Sequence, residues 1–159
     1  MATLKVTLKE ELILNGKDVG NENFLSIPGV TQSFGRIVTL PNGGTATIAV
    51  IKAAVTTSAG AIDDGDVKYI RITNLDADNS VTLSFQICLD ANAAVDQSVL
   101  LLQPGRSFVM GSTVDSIGIN ADHTATAALI DLESIKAINN AGSDTTQLEV
   151  FIASWYHED

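Results

Sequence analysis

The stretch Val81-Thr-Leu-Ser-Phe-Gln-Ile87 alternates apolar and polar residues without a break. A period of two places the apolar side chains on one face of a β-strand and the polar ones on the other. The preceding stretch, residues 67–76, alternates in the same way, with Ile70 and Ile72 on one face and Tyr69 on the other. Together the two stretches predict neighbouring half-buried strands, which indicate a β protein.

The same alternation recurs along the chain, beginning with Leu4, Val6 and Leu8 between lysines and threonines. Further runs rich in Thr, Val and Ile have the composition that strands favour. They are residues 36–40, 45–52, 98–102, 107–110, 116–120, 127–132, 134–138 and 148–155. Evidence for helix is confined to short segments such as residues 9–14, which a following Asn-Gly pair terminates.

Turn-forming residues separate these runs. Pro41-Asn-Gly-Gly44 and Asp76-Ala-Asp-Asn79 each lie between two strand patterns and are predicted to close hairpins. Pro104-Gly105 and Asn140-Ala-Gly142 are similar breakers. Many short strands joined by such turns predict an all-β fold, an antiparallel β-sandwich or jelly roll of about 8–10 strands.

The N-terminal part differs from the rest. Residues 20–35 contain aromatic and aliphatic side chains without a clear period, which is typical of an extended segment lying on a surface. We therefore divide the chain into an N-terminal strand and arm, residues 1–35, and a β-sandwich body, residues 36–159. The surface on which the arm lies belongs either to its own domain or to a neighbouring subunit, and the sequence leaves both possibilities open.

Composition excludes several classes of partner. The 159 residues include 9 basic and 19 acidic ones, a net charge of −10, and 45% are hydrophobic. Such acidity disfavours nucleic acid and anionic membranes, since both attract basic surfaces. The charge is also uneven: residues 1–52 carry +1 and residues 53–159 carry −11. We expect an acidic body behind a nearly neutral N-terminal third.

No segment predicts secretion or membrane insertion. The start lacks the apolar core of a signal peptide, and no run of about 18 apolar residues is present. Cys88 has no second cysteine to pair with. These features predict synthesis in a reducing cytoplasm.

No catalytic or metal-binding pattern rises above background. The Asp-rich stretches at residues 63–66 and 76–78 fail the EF-hand spacing and are better explained as turns. His123 and His157 have no ligand pattern around them, and Cys88 has no cationic neighbour in sequence. We expect a protein that is not an enzyme and has no cofactor.

Aromatic and aliphatic residues outside the strand cores are the candidates for an interface, because such side chains are enriched where proteins meet. Tyr69 lies beside Arg71 on the face away from Ile70, and Trp155-Tyr156 follows the last strand. The candidate interface residues are Phe24, Leu25, Ile27, Phe34, Tyr69, Arg71, Trp155 and Tyr156.

Three stretches, in this order, resemble a known class of protein. They are Val67-Lys-Tyr-Ile-Arg-Ile-Thr-Asn-Leu-Asp with Ser80-Val-Thr-Leu-Ser-Phe-Gln-Ile, then Val99-Leu-Leu-Leu-Gln-Pro-Gly-Arg-Ser-Phe-Val-Met-Gly, then Gln147-Leu-Glu-Val-Phe-Ile-Ala-Ser. The order is similar to that in small β-sandwich virion proteins of tailed bacteriophages, of the capsid decoration (cement) or head-fibre and tail accessory type. The similarity covers roughly residues 65–155 and the chain start.

The resemblance implies a virion structural protein on the capsid surface, made in the host cytoplasm. Its partner would be the major capsid protein or another virion protein, and it would form a homo-oligomer, with a trimer favoured. A trimer implies a heterologous contact between copies. A tail or fibre-adaptor component stays an alternative. So does a carbohydrate-binding β-sandwich that uses Tyr69, Trp155 or Tyr156.

Overall fold

The computed structural model describes residues 1–52, 61–87, 96–112, 117–119 and 132–155. Within these ranges the regular structure is entirely β, as the alternation predicts. Of the candidate strand at 116–120 the structure describes residues 117–119, and of the one at 127–132 it describes Leu132 alone. Cys88, His123, Tyr156 and His157 lie outside the described residues. Residues 117–119 carry no strand, and Leu132 opens the strand that follows.

Thirteen strands are present in the described residues. They are β1 (Ala2–Lys9), β2 (Ile13–Leu14), β3 (Lys17–Asp18), β4 (Glu22–Val30), β5 (Gln32–Leu40), β6 (Thr45–Lys52), β7 (Ile62–Asp63), β8 (Val67–Asn74), β9 (Val81–Ile87), β10 (Asp96–Leu102), β11 (Ser107–Gly111), β12 (Leu132–Asn139) and β13 (Thr146–Ser154).

Eight of these strands form two sheets with a nested pairing. One sheet has the order β11-β8-β13-β5 and the other β10-β9-β12-β6, to which the short β7 adds in parallel. The first strand of the eight pairs with the last (β5 with β13), β6 with β12, β8 with β11 and β9 with β10, all antiparallel. A two-stranded ribbon folded over on itself in this way gives an eight-stranded jelly roll.

The nested pairing corrects the two predicted hairpins. The turn at residues 41–44 joins β5 to β6, and residues 75–80 join β8 to β9, yet each pair of strands lies in different sheets. These turns are therefore arches from one sheet to the other. A hairpin and an arch have the same alternating strands and the same turn residues. Neither feature specifies which strand pairs with which, so the sequence pattern does not distinguish the two connections.

The N-terminal region also differs from its prediction. Residues 9–14 form no helix and lead into the small β2–β3 hairpin. Residues 22–30 form β4, which pairs with β1, whereas β5 begins at Gln32 and belongs to the body sheet along its whole length. The arm therefore ends near Thr31 in the structure.

The main core lies between the two sheets. Ile70, Ile72, Leu83, Ile135 and Ile152 are buried at its centre. Val81, Leu83 and Phe85 face this core, as the period-two pattern predicts. A second apolar cluster lies on the opposite face of the β8–β13 sheet, and it is formed with the N-terminal arm.

Two buried asparagines hold the arches at one end of the sandwich. The Asn139 amide nitrogen donates to the carbonyl oxygens of Pro41 and Asp144, at 3.0 and 2.8 Å, and so joins the arch before β6 to the one before β13. Its amide oxygen accepts from the Ala141 amide and the Thr146 hydroxyl, at 2.8 and 2.9 Å. Backbone groups that no water reaches must be paired inside the protein, and this side chain satisfies several at once.

Asn74 repeats the arrangement at the next pair of arches. Its amide nitrogen donates to the carbonyl oxygens of Asn79 and Leu102, at 2.8 and 3.3 Å. Its amide oxygen accepts from the Asp76 amide at 3.1 Å. The side chain thus joins the β8–β9 arch to the end of β10.

We predict that Asn139→Ala destabilises the fold by about 2–4 kcal/mol, because it removes several hydrogen bonds and leaves buried carbonyl groups unpaired. Chemical denaturation at neutral pH measures the change. The control is Asn140→Ala, since the neighbouring Asn140 is exposed and its side chain bonds to the side chains of Ser80 and Thr82. Equal effects for the two variants would contradict the role assigned to Asn139.

The Asp76 carboxylate stabilises the β8–β9 arch in its ionised form. It accepts hydrogen bonds from the backbone amides of Asp78 and Asn79, at 2.9 and 2.8 Å. These bonds lower the pKa of Asp76 from its ordinary value of 3.8. A lowered folded-state pKa gives stability that is complete above the unfolded-state value and is lost as pH falls through the folded-state value.

We therefore predict a pH-dependent effect of Asp76→Asn. The variant has a lower Tm than the wild-type chain at pH 7. The difference begins to shrink as pH falls below about 3.8, the unfolded-state value, and it is smallest once pH has fallen through the lowered folded-state pKa, where the wild-type carboxylate is also neutral. Asp76→Ala is the comparison, because it loses the oxygen acceptor as well as the charge and should stay less stable even in acid. A Tm difference for Asp76→Asn that is independent of pH would contradict the prediction.

Candidate interaction surface

The N-terminal arm is a two-stranded antiparallel ribbon. β1 and β4 pair from Leu4 opposite Ile27 to Lys9 opposite Glu22. A register shift lies between Ala2 and Leu4, where β4 contains Gly29 with φ of +75°. Glycine adopts this backbone angle without strain, and such a bulge bends the ribbon near the body.

One face of the ribbon packs on its own body. Leu4, Val6, Leu25, Ile27 and Val30 contact a patch on the outer side of the β8–β13 sheet. That patch consists of Tyr69, Phe151 and Ala153. The sequence leaves open whether the arm lies on its own domain or on a neighbouring subunit. In the structure, the base of the ribbon lies on its own domain.

Contacts at the rim fix the ribbon in place. A Cβ at Gly111 would lie 3.0 Å from the Tyr69 ring and 3.1 Å from the Leu25 side chain. Because residue 111 is glycine, both side chains can pack directly against its backbone. The Lys68 ammonium lies 3.5 Å from the Pro28 carbonyl oxygen and 5.3 Å from the centre of the Trp155 ring. Lys68 thus links the ribbon to the end of the last strand.

The far part of the ribbon, which we call the tip (residues 7–24), is not packed against the body. Every side chain in it is exposed, and only Gly20 is half-buried. Along β1, Leu4 and Val6 are half-buried, whereas Leu8 on the same face is 54% exposed. The apolar face of the ribbon therefore continues past the edge of the surface that covers it.

The tip concentrates exposed apolar side chains. Ile13 is 76% exposed and Phe24 is 74% exposed. The apolar members are Leu8, Leu12, Ile13, Leu14, Val19 and Phe24. Scattered apolar residues are normal on a surface, but six exposed ones within 18 residues of one projecting ribbon are a local concentration of the kind found at interaction sites. They lie on both faces of the ribbon, since Leu8 is paired with Asn23 and Phe24 with Thr7.

The backbone of the tip is held by close turns. The Glu10 amide donates to the Asn21 carbonyl oxygen at 2.7 Å, and the Val19 amide donates to the Leu12 carbonyl oxygen at 2.8 Å. A Cβ at Gly20 would overlap the Glu10 carbonyl oxygen. The two segments of the ribbon therefore approach this closely only because residue 20 is glycine.

The eight predicted interface residues occupy different environments. Phe24 is exposed at the tip, and Leu25 is half-buried at the base of the ribbon. Ile27 and Tyr69 are buried between ribbon and sheet, so neither is open to a partner in this conformation. Phe34 packs at the margin of the main core and lies 5.2 Å beneath the Arg36 guanidinium.

The other predicted residues lie on the body. Arg71 forms an ion pair with Glu149 at 2.9 Å and lies 6.0 Å from the centre of the Phe151 ring. Trp155 is half-buried beside Lys68, and Tyr156 lies outside the described residues. Burial raises the pKa of the Tyr69 hydroxyl, in keeping with its position beneath the ribbon. The structure therefore does not assemble the seven of these side chains that it describes into one surface.

Sequence reasoning missed the five other apolar residues of the tip. Leu12-Ile13-Leu14 has the composition of a buried segment, and the sequence pattern places it at the end of the short helix predicted at residues 9–14. A signal was present in Asn15-Gly16, a pair that favours two-residue hairpin loops. In the structure this pair connects β2 and β3, with φ of 52° at Asn15 and 75° at Gly16.

In the described ranges, no group of three or more His, Cys, Asp and Glu side chains is placed to bind a metal ion. The same part of the chain contains no helix with the length and hydrophobicity needed to span a membrane. At the Asp-rich turn after β7, burial and the neighbouring Asp63 charge raise the pKa of Asp64.

The chain matches no protein-family model and no curated protein sequence. Among solved structures it is similar to a Bacillus endospore appendage from a family of disulfide-linked pili, with 12% identity, a TM-score of 0.42, and coverage of 79% of this chain and 88% of the other. Tomato aspermy virus gives 10% identity, a TM-score of 0.38, and coverage of 80% and 79%.

A third similar structure is the family 11 carbohydrate-binding module of Clostridium thermocellum in complex with a β-1,3-1,4-mixed-linked tetrasaccharide. It is 11% identical, with a TM-score of 0.32, and the match covers 97% of this chain and 87% of the module. At these identities and TM-scores none of the three likenesses indicates a function for this chain.

We predict that Ile27→Ala releases the ribbon from the body. Ile27 is fully buried in the second cluster, and truncating such a side chain costs about 2–5 kcal/mol. Amide hydrogen exchange should accelerate in β1 and β4 more than in β9. Phe24→Ala, in the same strand but exposed, is the control and should leave the exchange rates unchanged. Uniform acceleration across all strands would show that the ribbon is not a separate unit.

Proposed function

We propose that this chain is a structural protein of a bacteriophage virion, a capsid decoration (cement) protein that binds and stabilises the head shell through the tip of its N-terminal ribbon. The role is non-catalytic, and the partner is the major capsid protein or another virion protein. The observation that carries the proposal is the tip, an 18-residue segment with six exposed apolar side chains and none buried. The sequence resemblance to phage virion proteins supports the choice of assembly.

The energetics of the tip favour a bound state. Burying a large apolar side chain gains about 1.5–3 kcal/mol, so covering even half of the six would supply several kcal/mol. A two-stranded ribbon alone is only marginally stable in water. Here the base is anchored by Ile27 and Tyr69, so the tip is presented in a defined position and loses less conformational entropy on binding.

The charges of the tip indicate what kind of surface it fits. Lys9 and Lys17 alternate with Glu10, Glu11, Asp18 and Glu22 around the apolar residues. A mixed rim around an apolar centre is the usual anatomy of a protein–protein interface. We therefore expect an apolar groove with a polar border on the shell, rather than a strongly basic or acidic one.

The decisive experiment is co-sedimentation with empty capsids. The variant replaces residues 10–21 by an Asn-Gly turn, because Lys9 and Glu22 pair directly and a two-residue turn can join them. We expect the full chain to sediment with the capsids and the variant to stay in the supernatant, while its circular dichroism and Tm remain close to those of the full chain. Retained binding by this variant, and by the same variant with Leu8→Ser and Phe24→Ser added, would refute the tip as the contact.

A matched pair of point variants sharpens the test. Ile13→Ser alters the most exposed apolar residue of the tip, and Ile37→Ser alters an isoleucine on β5 that is 61% exposed. We expect at least a tenfold loss of capsid affinity for the first, equivalent to about 1.4 kcal/mol, and no change for the second. Equal losses would indicate that general surface hydrophobicity, and not the tip, drives binding.

The alternative assignments differ in measurable ways. A decoration protein is present in virions in many copies, whereas a tail or fibre-adaptor component is present in few, so quantitative mass spectrometry of virions separates them. A sugar-binding role through Tyr69 is disfavoured by its burial beneath the ribbon. Trp155 and Tyr156 would remain as the sugar-stacking residues, and binding on a glycan array would point to them.

A further inference from the structure

Among the described residues, β10 forms the outer edge of the second sheet, and its second half, Val99–Leu102, is apolar and uncharged. β10 is the outermost strand beside β9, and in the described part of the chain it pairs with β9 alone. Val99 and Leu101 on its outer face are 64% and 54% exposed, and Leu100 on its inner face is 38% exposed. Residues 97–105 contain no charged side chain.

This edge lacks the protection that edge strands usually have. Natural sheets shield such edges with charged residues, proline or bulges, because an exposed edge offers unpaired backbone groups to another strand. Within β10 the only charged residue is Asp96 at its first position; residues 97–102 contain neither a charge nor a proline, and the register with β9 is regular from Asp96 to Leu102. At the opposite side of the sandwich, by contrast, Arg36 of β5 donates to the Thr47 and Ile48 carbonyl oxygens of β6, at 3.1 and 2.8 Å.

We propose that β10 pairs with β10 of a second copy of this chain, antiparallel across a two-fold axis, to form a continuous sheet through both subunits. The sequence of the strand is self-complementary in this arrangement. With the axis at Leu100, Val99 faces Leu101 of the second copy, and the two Leu100 side chains extend the apolar layer across the axis. Backbone pairing supplies affinity, and the matching apolar pairs supply the register.

Charge favours the second copy at this edge over other faces of the body. Each chain carries a net charge of −10, so two bodies repel each other unless they meet where charge is absent. The β10 edge from residue 97 onward is such a place. The contact is two-fold and isologous, so it gives a dimer, in contrast to the trimer that the sequence resemblance implies.

The test is the solution mass of the purified chain over a range of concentrations, measured by sedimentation equilibrium. We expect a monomer–dimer equilibrium that strengthens as salt rises, because salt screens the repulsion between the two acidic bodies. A chain that stays monomeric, forms a trimer, or grows without limit with concentration would overturn the proposal.

Three variants locate the contact. Val99→Lys and Leu101→Lys each place a charge at the centre of the edge and should raise the dimer dissociation constant at least tenfold. Ile37→Lys is the matched control, because Ile37 is equally exposed on β5, the edge strand of the other sheet, and it should dimerise as the wild type does. Dimers that persist in both β10 variants would place the contact elsewhere.

A charge-paired variant tests the register itself. In Val99→Lys/Leu101→Glu, each introduced cation faces the introduced anion of the second copy, so dimerisation should recover relative to either lysine variant. No recovery would exclude the axis at Leu100. This inference is independent of the tip: the variant lacking residues 10–21 should dimerise normally, and Leu101→Lys should still bind capsids.

Discussion

The fold depends on the pairing of buried backbone groups where the chain crosses from one sheet to the other. Arches expose carbonyl and amide groups at the end of a closed apolar core, where water does not satisfy them. Asn139 and Asn74 supply the missing partners, and each side chain ties its own arch to a neighbouring segment. The backbone pairing of the strands gives the nested order, and these side chains hold the connections between the two sheets in place.

The same sandwich sets the geometry of the ribbon. β8 is buried on both faces over most of its length, since one face meets the core and Tyr69 on the other meets the arm. The arm is thereby anchored at its base, while the tip is carried beyond the body with its apolar residues uncovered. The acidic body and the apolar tip thus play separate parts: one keeps the protein soluble, and the other is available for contact.

Much of the fold could be predicted from local pattern. The strands β6, β9 and β13 were placed closely, and Tyr69 lies on the opposite face from Ile70, because alternation fixes which side chains share a face. The hairpins at residues 41–44 and 76–79 were wrong, since turn chemistry does not specify which strand pairs with which. Of the candidate interface, Phe24 lies at the tip, whereas Ile27 is covered by the chain itself. Whether Phe24 is exposed and Ile27 is buried depends on where the ribbon packs against the body. The local sequence pattern does not contain that information.

The sequence by itself determined the class: an all-β chain, acidic in its body, with a distinct N-terminal segment. These properties are sums over residues or short-range periods, and they do not depend on distant partners. Only the tertiary structure decided that the turns are arches, that two asparagines hold them, and that the ribbon covers Tyr69 while leaving the tip and the β10 edge exposed. Each of these arises from contacts between residues far apart in sequence, so burial is assigned by the assembled fold and not by the residue.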